Sequence, residues 1–370
     1  MLATPVLRAA SASAASAASA ASSAALSAAL SSASSTEYSN YSGMVPNLAF
    51  NVCMAVIFGL LLIMQVGIGI WTKQWWFLVS FTFTCILEVL GYAGRASGHF
   101  DVYNVDTFLL QFITLTIAPV FTMAGIYYQL AKLIEVFGHQ FALIKNPMLY
   151  SYIFMGCDII SLIVQAVGGG MAGSAAADEK DPANGDHVFV AGLAFQVASM
   201  SVFLMLWFHL VYQIFVVTRK RHTGAKRASL SLFHVSQEEI DYMYRPKFEF
   251  LRLHPKRWVF TYFPWILTAA SLLIFVRCIY RVIELAEGWS GNLITHEIYF
   301  IILDALMMSL ATTLLTVFHP GFVFKGRTTS IPIQNVRKAV AKDGAENATD
   351  SLEDDNDNDN DSWRANKEEA

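Results

Sequence analysis

The chain reads as an all-α membrane protein. It is a seven-transmembrane helix bundle with the N-terminus outside, the C-terminus cytosolic and disordered tails at both ends. Three observations predict this. Only 15% of the 370 residues are charged while 55% are hydrophobic, against roughly 25% charged in soluble domains. Seven windows stay apolar for about twenty residues, the length a helix needs to cross the hydrocarbon core. The Lys and Arg residues collect in alternate connections, as the positive-inside rule requires.

The windows are 47–70, 75–94, 107–131, 149–170, 188–217, 259–283 and 297–318. The first carries no charged residue. The second is the weakest, because it holds Glu88, yet "WWFLVSFTFTCILEVL" is too apolar for a loop. The third contains Pro119 and the sixth Pro264, hinges or ordinary kinks of the sort that lipid-embedded helices tolerate. Asp158 lies in the fourth, Gln196 in the fifth, Arg277 and Arg281 in the sixth, Glu297 and Asp304 in the seventh.

With the N-terminus outside, the inner connections and the C-terminal tail hold twenty of the 25 Lys and Arg residues. The outer segments hold only Arg8, Arg95 and Lys180. That asymmetry orients the bundle. The chain divides into an Ala/Ser-rich extracellular tail (1–45), a membrane domain (46–322) and a cytosolic tail (323–370) with the acidic run "EDDNDNDND". Asn40 opens an Asn-Tyr-Ser sequon on the outer side, a candidate for glycosylation. The basic inner loop 218–258 suits anionic lipid headgroups. In it "KRAS" presents Ser229 to basic-directed kinases, and phosphate there would weaken the attraction.

A formal net charge of -4 speaks against a nucleic-acid partner. The four cysteines, Cys53, Cys85, Cys157 and Cys278, all fall in apolar stretches. They read as small core residues rather than a disulfide framework. No cofactor motif occurs, and no P-loop that would make ATP a direct energy source. Oligomeric state is not encoded in any of these features.

The intramembrane charges are the chemically informative residues. Each costs about 2.5–3.5 kcal/mol at the centre of a helix on insertion scales, so they face one another or a watery cavity. At 1.5 Å per residue, Arg277, Glu88 and Asp304 share a depth about 10 Å below the outer surface. Arg277 therefore has acidic partners within reach, and Arg281 is expected to pair with Glu297 nearer the boundary. Asp158 lies closer to the midplane, with Gln165 on the same face; Gln111 and Gln196 occupy the outer halves of their helices. The inner half reads as nearly all apolar. The candidate substrate cavity is Glu88, Arg95, Gln111, Asp158, Gln165, Gln196, Arg277, Arg281, Glu284, Glu297 and Asp304. The bland reading, polar contacts that merely join helices, gives each about 0.6 kcal/mol.

Several stretches resemble one family. They are "EVLGYAGR", "LLQFITLTIAPVFTMAGIYYQLAKLI", "CDIISLIVQAVGGG", "AGLAFQV", "VRCIYRVIELAEGWSGNLITHEIYFIILDALMM" and a closing "HPG". Together, over residues 45 to 322, they are similar to the fungal RTA-like proteins, also called lipid-translocating exporters. The resemblance implies seven spans and tolerance of toxic lipids and drugs. It also implies export or translocation of sphingoid long-chain bases or sterol-like lipids, with the plasma membrane favoured. It carries over Pro119, His319, Pro320 and Gly321 together with the polar residues named above.

Two functions from different classes follow. One is a carrier of amphipathic lipids, in which carboxylates take an amine and aromatic side chains hold the tail. The other is a seven-helix lipid sensor without transport, for which an N-out bundle and a basic third inner loop are equally suited. A zinc hydrolase ranks last, because His209, His296 and His319 are scattered, without HxxxH or HExxH spacing.

Overall fold

The computed structural model describes residues 41, 44–144, 146–177, 181–224, 237–252, 258–288 and 291–325. Residues 1–40 and 326–370, which make up most of the two tails and include Asn40, and Ser229 in the inner loop lie outside the described residues. Seven helices are long and apolar enough to cross a membrane, and no strand occurs among the described residues.

Helix α1 (Leu48–Thr72) starts where the Asn47 side chain accepts from the Phe50 amide, the usual work of an N-cap asparagine. It stops at Lys73, whose φ of 55° is left-handed. Helix α2 (Trp75–Ser97) follows almost at once and packs back along α1. The least apolar window is thus a full span. Helix α3 (Val105–Phe137) is capped by Asn104, which accepts from the Asp106 and Thr107 amides, and it ends at Gly138 with φ 125°. It runs six residues beyond its apolar window, carrying Lys132 and Glu135 into the inner boundary.

Helix α4 (Pro147–Ala177) begins with proline at its first turn, where no N–H is needed. Helix α5 (Ala183–Thr223) continues through a π segment, Gln213–Val217, and takes in the start of the inner loop. The two pack along a glycine seam. A Cβ on Gly168 would sit 2.3 Å from the Phe189 nitrogen, and one on Gly185 would sit 2.2 Å from that of Ala172. Helix α6 is Trp258–Ala286. Helix α7 (Glu297–Val323) contains a second π segment, Ile301–Leu306, and breaks at Phe318–His319. There His319 Nδ1 accepts from the Gly321 amide at 3.0 Å. Gly321 lies so close to Thr72 that a Cβ would meet its hydroxyl at 2.2 Å. The HPG sequence therefore ties the end of α7 to α1.

Large apolar side chains such as Ile63, Ile163 and Met205 point outward, which suits a surface solvated by lipid tails. Cys53 joins that surface rather than the core, while Cys85 and Cys278 are buried. The inner half is less apolar than its sequence suggests. Gln65 donates to Thr316 at 2.8 Å, Lys132 bonds Gln74, and Glu135 pairs with Arg245. Arg252 grips Asp241 with two hydrogen bonds, 2.6 and 3.0 Å, and also reaches the Val136 carbonyl. Arg245 and Arg252 of the basic inner loop thus close short helical turns (237–252) onto the end of α3. Lys132, Glu135, Arg245 and Arg252 lie beyond the strictly apolar windows, whereas Gln65 and Thr316 are uncharged and lie inside them.

Candidate functional site

The opposite end of the bundle holds a buried ionic cluster, built from α2, α3, α6 and α7. Its organising feature is Pro119. Lacking an N–H, it leaves the Leu115 carbonyl, one turn earlier, without its helical partner. Arg277 Nη2 donates to that carbonyl at 2.7 Å. Arg277 Nε donates to Asp304 Oδ1 at 2.6 Å, and its Nη2 lies 3.8 Å from Glu88. Glu88 and Asp304 are fully buried and Arg277 nearly so.

Asp304 occupies the π segment of α7. Such segments often mark functional positions, because the extra residue re-aims side chains. Here one carboxylate takes Arg277 on one oxygen and Arg281, a turn further out, on the other. Arg281 also donates to Glu284 at 3.0 Å, and Tyr280 donates to the other Glu284 oxygen at 2.8 Å.

The expected Arg281–Glu297 pair does not form. Arg281 points inward along α6 to Asp304, while Glu297, at the first turn of α7, meets Arg95 at 3.3 Å. Glu297 also accepts from the Asn47 amide at 3.0 and 3.2 Å, tying the starts of α1 and α7 together. Arg95 stacks 4.0 Å over the Phe300 ring, a geometry that stabilises a cation on an aromatic face.

Above the cluster lies an outward-facing cavity of ≈ 40 Å³, lined by Tyr41, Met44, Arg95, Phe108, Gln111, Phe112, Leu115, Arg281, Glu284, Leu285, Ile294, Glu297 and Phe300. That is room for a few waters, at roughly 10–15 Å³ each on this measure, and not for a lipid. Burial pushes the Tyr41 hydroxyl above its ordinary pKa, against the pull of the Arg95 guanidinium. It lines the cavity as a neutral phenol.

Of the eleven sequence candidates, Arg95, Gln111, Arg281, Glu284 and Glu297 line this cavity. Glu88, Arg277 and Asp304 do not line it, but join it through Arg281, which pairs with Asp304, and Leu115, whose carbonyl holds Arg277. Asp158, Gln165 and Gln196 lie elsewhere, on a polar seam between α3, α4 and α5. Tyr127 donates to Asp158 at 2.9 Å, and Ser161 donates to the Gly192 carbonyl at 2.8 Å. Gln165 bridges Ser161 at 2.7 Å and Gln196 at 3.1 Å. Asp158 has no cationic partner among the described residues.

Sequence reasoning missed four contributors. Leu115 acts through its backbone, and the signal was Pro119 four residues on. Phe300 and Tyr41 supply aromatic faces to Arg95, and Asn47 holds Glu297. Neither aromatic nor Asn47 stands out in an apolar stretch. No group of three or more His, Cys, Asp or Glu among the described residues is placed to hold a metal ion.

The chain is 60% identical over 295 residues to the Saccharomyces cerevisiae protein named sphingoid long-chain base transporter RSB1, covering 80% of this chain and 77% of that one. It is 28% identical to Protein RTM1 of Saccharomyces cerevisiae, over 67% of this chain and 68% of the relative. Protoporphyrin uptake protein 1 of the same organism is 26% identical, over 63% and 65%. No solved structure matches. The family model described as RTA1 like protein matches residues 81–327, from α2 to the end of α7 and including every residue of the ionic cluster. This chain belongs to the RTA1-like family of multi-pass membrane proteins.

Proposed function

We propose that the protein moves sphingoid long-chain bases, or amphipathic amines of similar shape, across the bilayer without acting as an enzyme. The outward cavity is then the exoplasmic end of the path. The observation that carries this reading is the 60% identity to a protein named as a sphingoid long-chain base transporter. The cavity chemistry supports it. Glu284 and Glu297 are acceptors for an ammonium group, and Phe108, Phe112 and Phe300 give an apolar wall for the first part of a chain. Because the cavity is far smaller than a lipid, the conformation described here is a closed one, and transport requires the outer helix ends to part. The pairs at that rim, Arg95 with Glu297 and Arg281 with Glu284, are what must open. Export, and residence in the plasma membrane with the tails 1–45 and 323–370 on opposite sides, complete the proposal. Tolerance of toxic lipids, including sterol-like ones, would follow from export.

Reconstitution tests it. Purified protein in vesicles should move a labelled sphingoid base between leaflets faster than protein-free vesicles. Equal rates would sink the transport reading. The small, ion-paired cavity favours one rival, a lipid sensor that binds without transporting. That rival would be supported if the base bound tightly, changed the protein's protease pattern, and still did not cross.

A further inference from the structure

The ionic cluster does not balance. Two guanidinium groups, Arg277 and Arg281, serve three carboxylates, Glu88, Glu284 and Asp304. The neighbouring Arg95–Glu297 pair cancels itself. Asp304 is compensated on both oxygens and Glu284 takes Arg281 and Tyr280. The deficit falls on Glu88. It is wholly buried, neither of its oxygens has a hydrogen-bond partner among the described residues, and its nearest cation is 3.8 Å away. An isolated ionised carboxylate in such a place costs several kcal/mol that a weak contact does not repay.

The groups facing Glu88 are few. From its own helix come Cys85 and Tyr92, from α6 Arg277 and Arg281, and from α7 Asp304. From α3 comes the Leu115 carbonyl, which occupies the same Arg277 nitrogen that approaches Glu88. No further cation reaches it from any of these helices among the described residues. The Tyr92 hydroxyl, one turn away, also lacks a partner.

We propose that Glu88 is a proton-exchange site that couples the movement of a cationic amphiphile to a counter-moving proton. The inference rests on the transport reading above. With the cavity empty, the cluster carries one proton on Glu88 and is neutral. When an ammonium group reaches the cluster from the inner side, it supplies the missing positive charge and the Glu88 proton leaves toward that side. When the amine departs outward past Arg281 and Glu284, a proton returns to Glu88 through the outer cavity. Beside the two guanidinium groups, one exchangeable positive charge, proton or ammonium, occupies the cluster at every stage, and no other reactant is needed.

Two measurements decide the matter. Purified Asp158→Asn protein lacks the other buried acid without a cationic partner among the described residues. In its infrared spectrum at neutral pH, a protonated-carboxyl C=O band sensitive to deuteration should be present, and adding Glu88→Gln should abolish it. In vesicles loaded with a labelled sphingoid base, acidifying the face that bears the α2–α3 loop should accelerate export and acidify the opposite compartment, after subtraction of protein-free vesicles. In Glu88→Gln the ratio of rates with and without the gradient should fall to unity, whatever rate is left. Asp158→Asn, which removes a buried acid on a different seam, should keep the gradient response.

A missing band, or one that survives Glu88→Gln, overturns the proton on Glu88. Wild-type export indifferent to the gradient overturns the coupling. If Glu88→Gln does not fold, the band of Asp158→Asn protein and the wild-type proton flux still decide. If the wild type moves no base at all, the transport reading fails and the exchange fails with it; the bound proton then stands or falls on the infrared band alone.

Discussion

Two polar regions sit inside this bundle, and they are built on different principles. The seam between α3, α4 and α5 joins side chains that need few counter-charges. Tyr127 serves Asp158, Ser161 serves a carbonyl, and Gln165 bridges Ser161 and Gln196. The α2–α6–α7 cluster is held by ion pairs, with an arginine anchored on a carbonyl that a proline released. Neutral hydrogen bonds in a bundle are modest and nearly interchangeable. Buried charges are not, because removing one strands the others. The seam is therefore suited to holding helices together, whereas the cluster responds to any cation that arrives or leaves.

The most severe test is Arg277→Ala. It leaves Glu88 without its nearest cation and Asp304 with Arg281 alone, and should cost about 3–5 kcal/mol of stability, read as a large drop in the unfolding midpoint in detergent. Adding Asp304→Ala should restore part of the loss, with a coupling of about 0.5–3 kcal/mol. Strict additivity would mean the two side chains do not act as a pair. If Arg277→Ala cost no more than a change in the seam, the contrast between the regions would be broken.

Next in size is Gly168→Ala, which leaves every polar group in place. Its Cβ would lie 2.3 Å from the Phe189 backbone nitrogen. Helices α4 and α5 must move apart, at about 1–3 kcal/mol. This sharpens the comparison, because it says the seam depends on close backbone approach more than on its hydrogen bonds. An unchanged melting point for Gly168→Ala would remove that claim.

A smaller loss is expected for Glu297→Gln. The amide keeps one acceptor for the Asn47 N–H but gives up the charge facing Arg95. The cost should be about 1.5 kcal/mol, the low end for a hydrogen bond to a charged group. Because the change loosens the cavity rim, protease access to the start of α1 should rise while the seam stays protected. Unchanged access would show that Glu297 does not hold the rim.

The seven spans and the common depth of several charges were visible in the sequence; the division into seam and cluster was not, and that has a physical cause. Span number and orientation follow from one-dimensional rules, apolar length and the placement of Lys and Arg, which the bilayer enforces on any chain. Depth along a helix axis is also one-dimensional, so the grouping of Arg277 with Glu88 and Asp304 could be foreseen. Rotation about the axis cannot be read that way. Arg281 and Glu297 have compatible depths, yet Arg281 turns to Asp304 because the π segment of α7 swings that carboxylate toward both arginines. Asp158, Gln165 and Gln196 have depths compatible with the cavity and face another interface. In the sequence Lys132 counts only as an inner-loop cation, and Glu135 not at all, for a different reason. Helix α3 outlasts its apolar window, and short turns from the inner loop cover its end.

The least change is expected from Gln196→Ala, and it is the most discriminating of the set. Gln196 supplies one acceptor to Gln165 at 3.1 Å, but Gln165 keeps its shorter bond to Ser161 at 2.7 Å. No charge is stranded, so the loss should be about 0.6 kcal/mol, the average for an interhelical hydrogen bond in a membrane. Transport of a sphingoid base should be close to wild type. A variant that folded normally yet lost transport would place Gln196 on the substrate path. The seam would then belong with the cluster, and the division of the bundle into a joining half and a working half would have to be redrawn around α5.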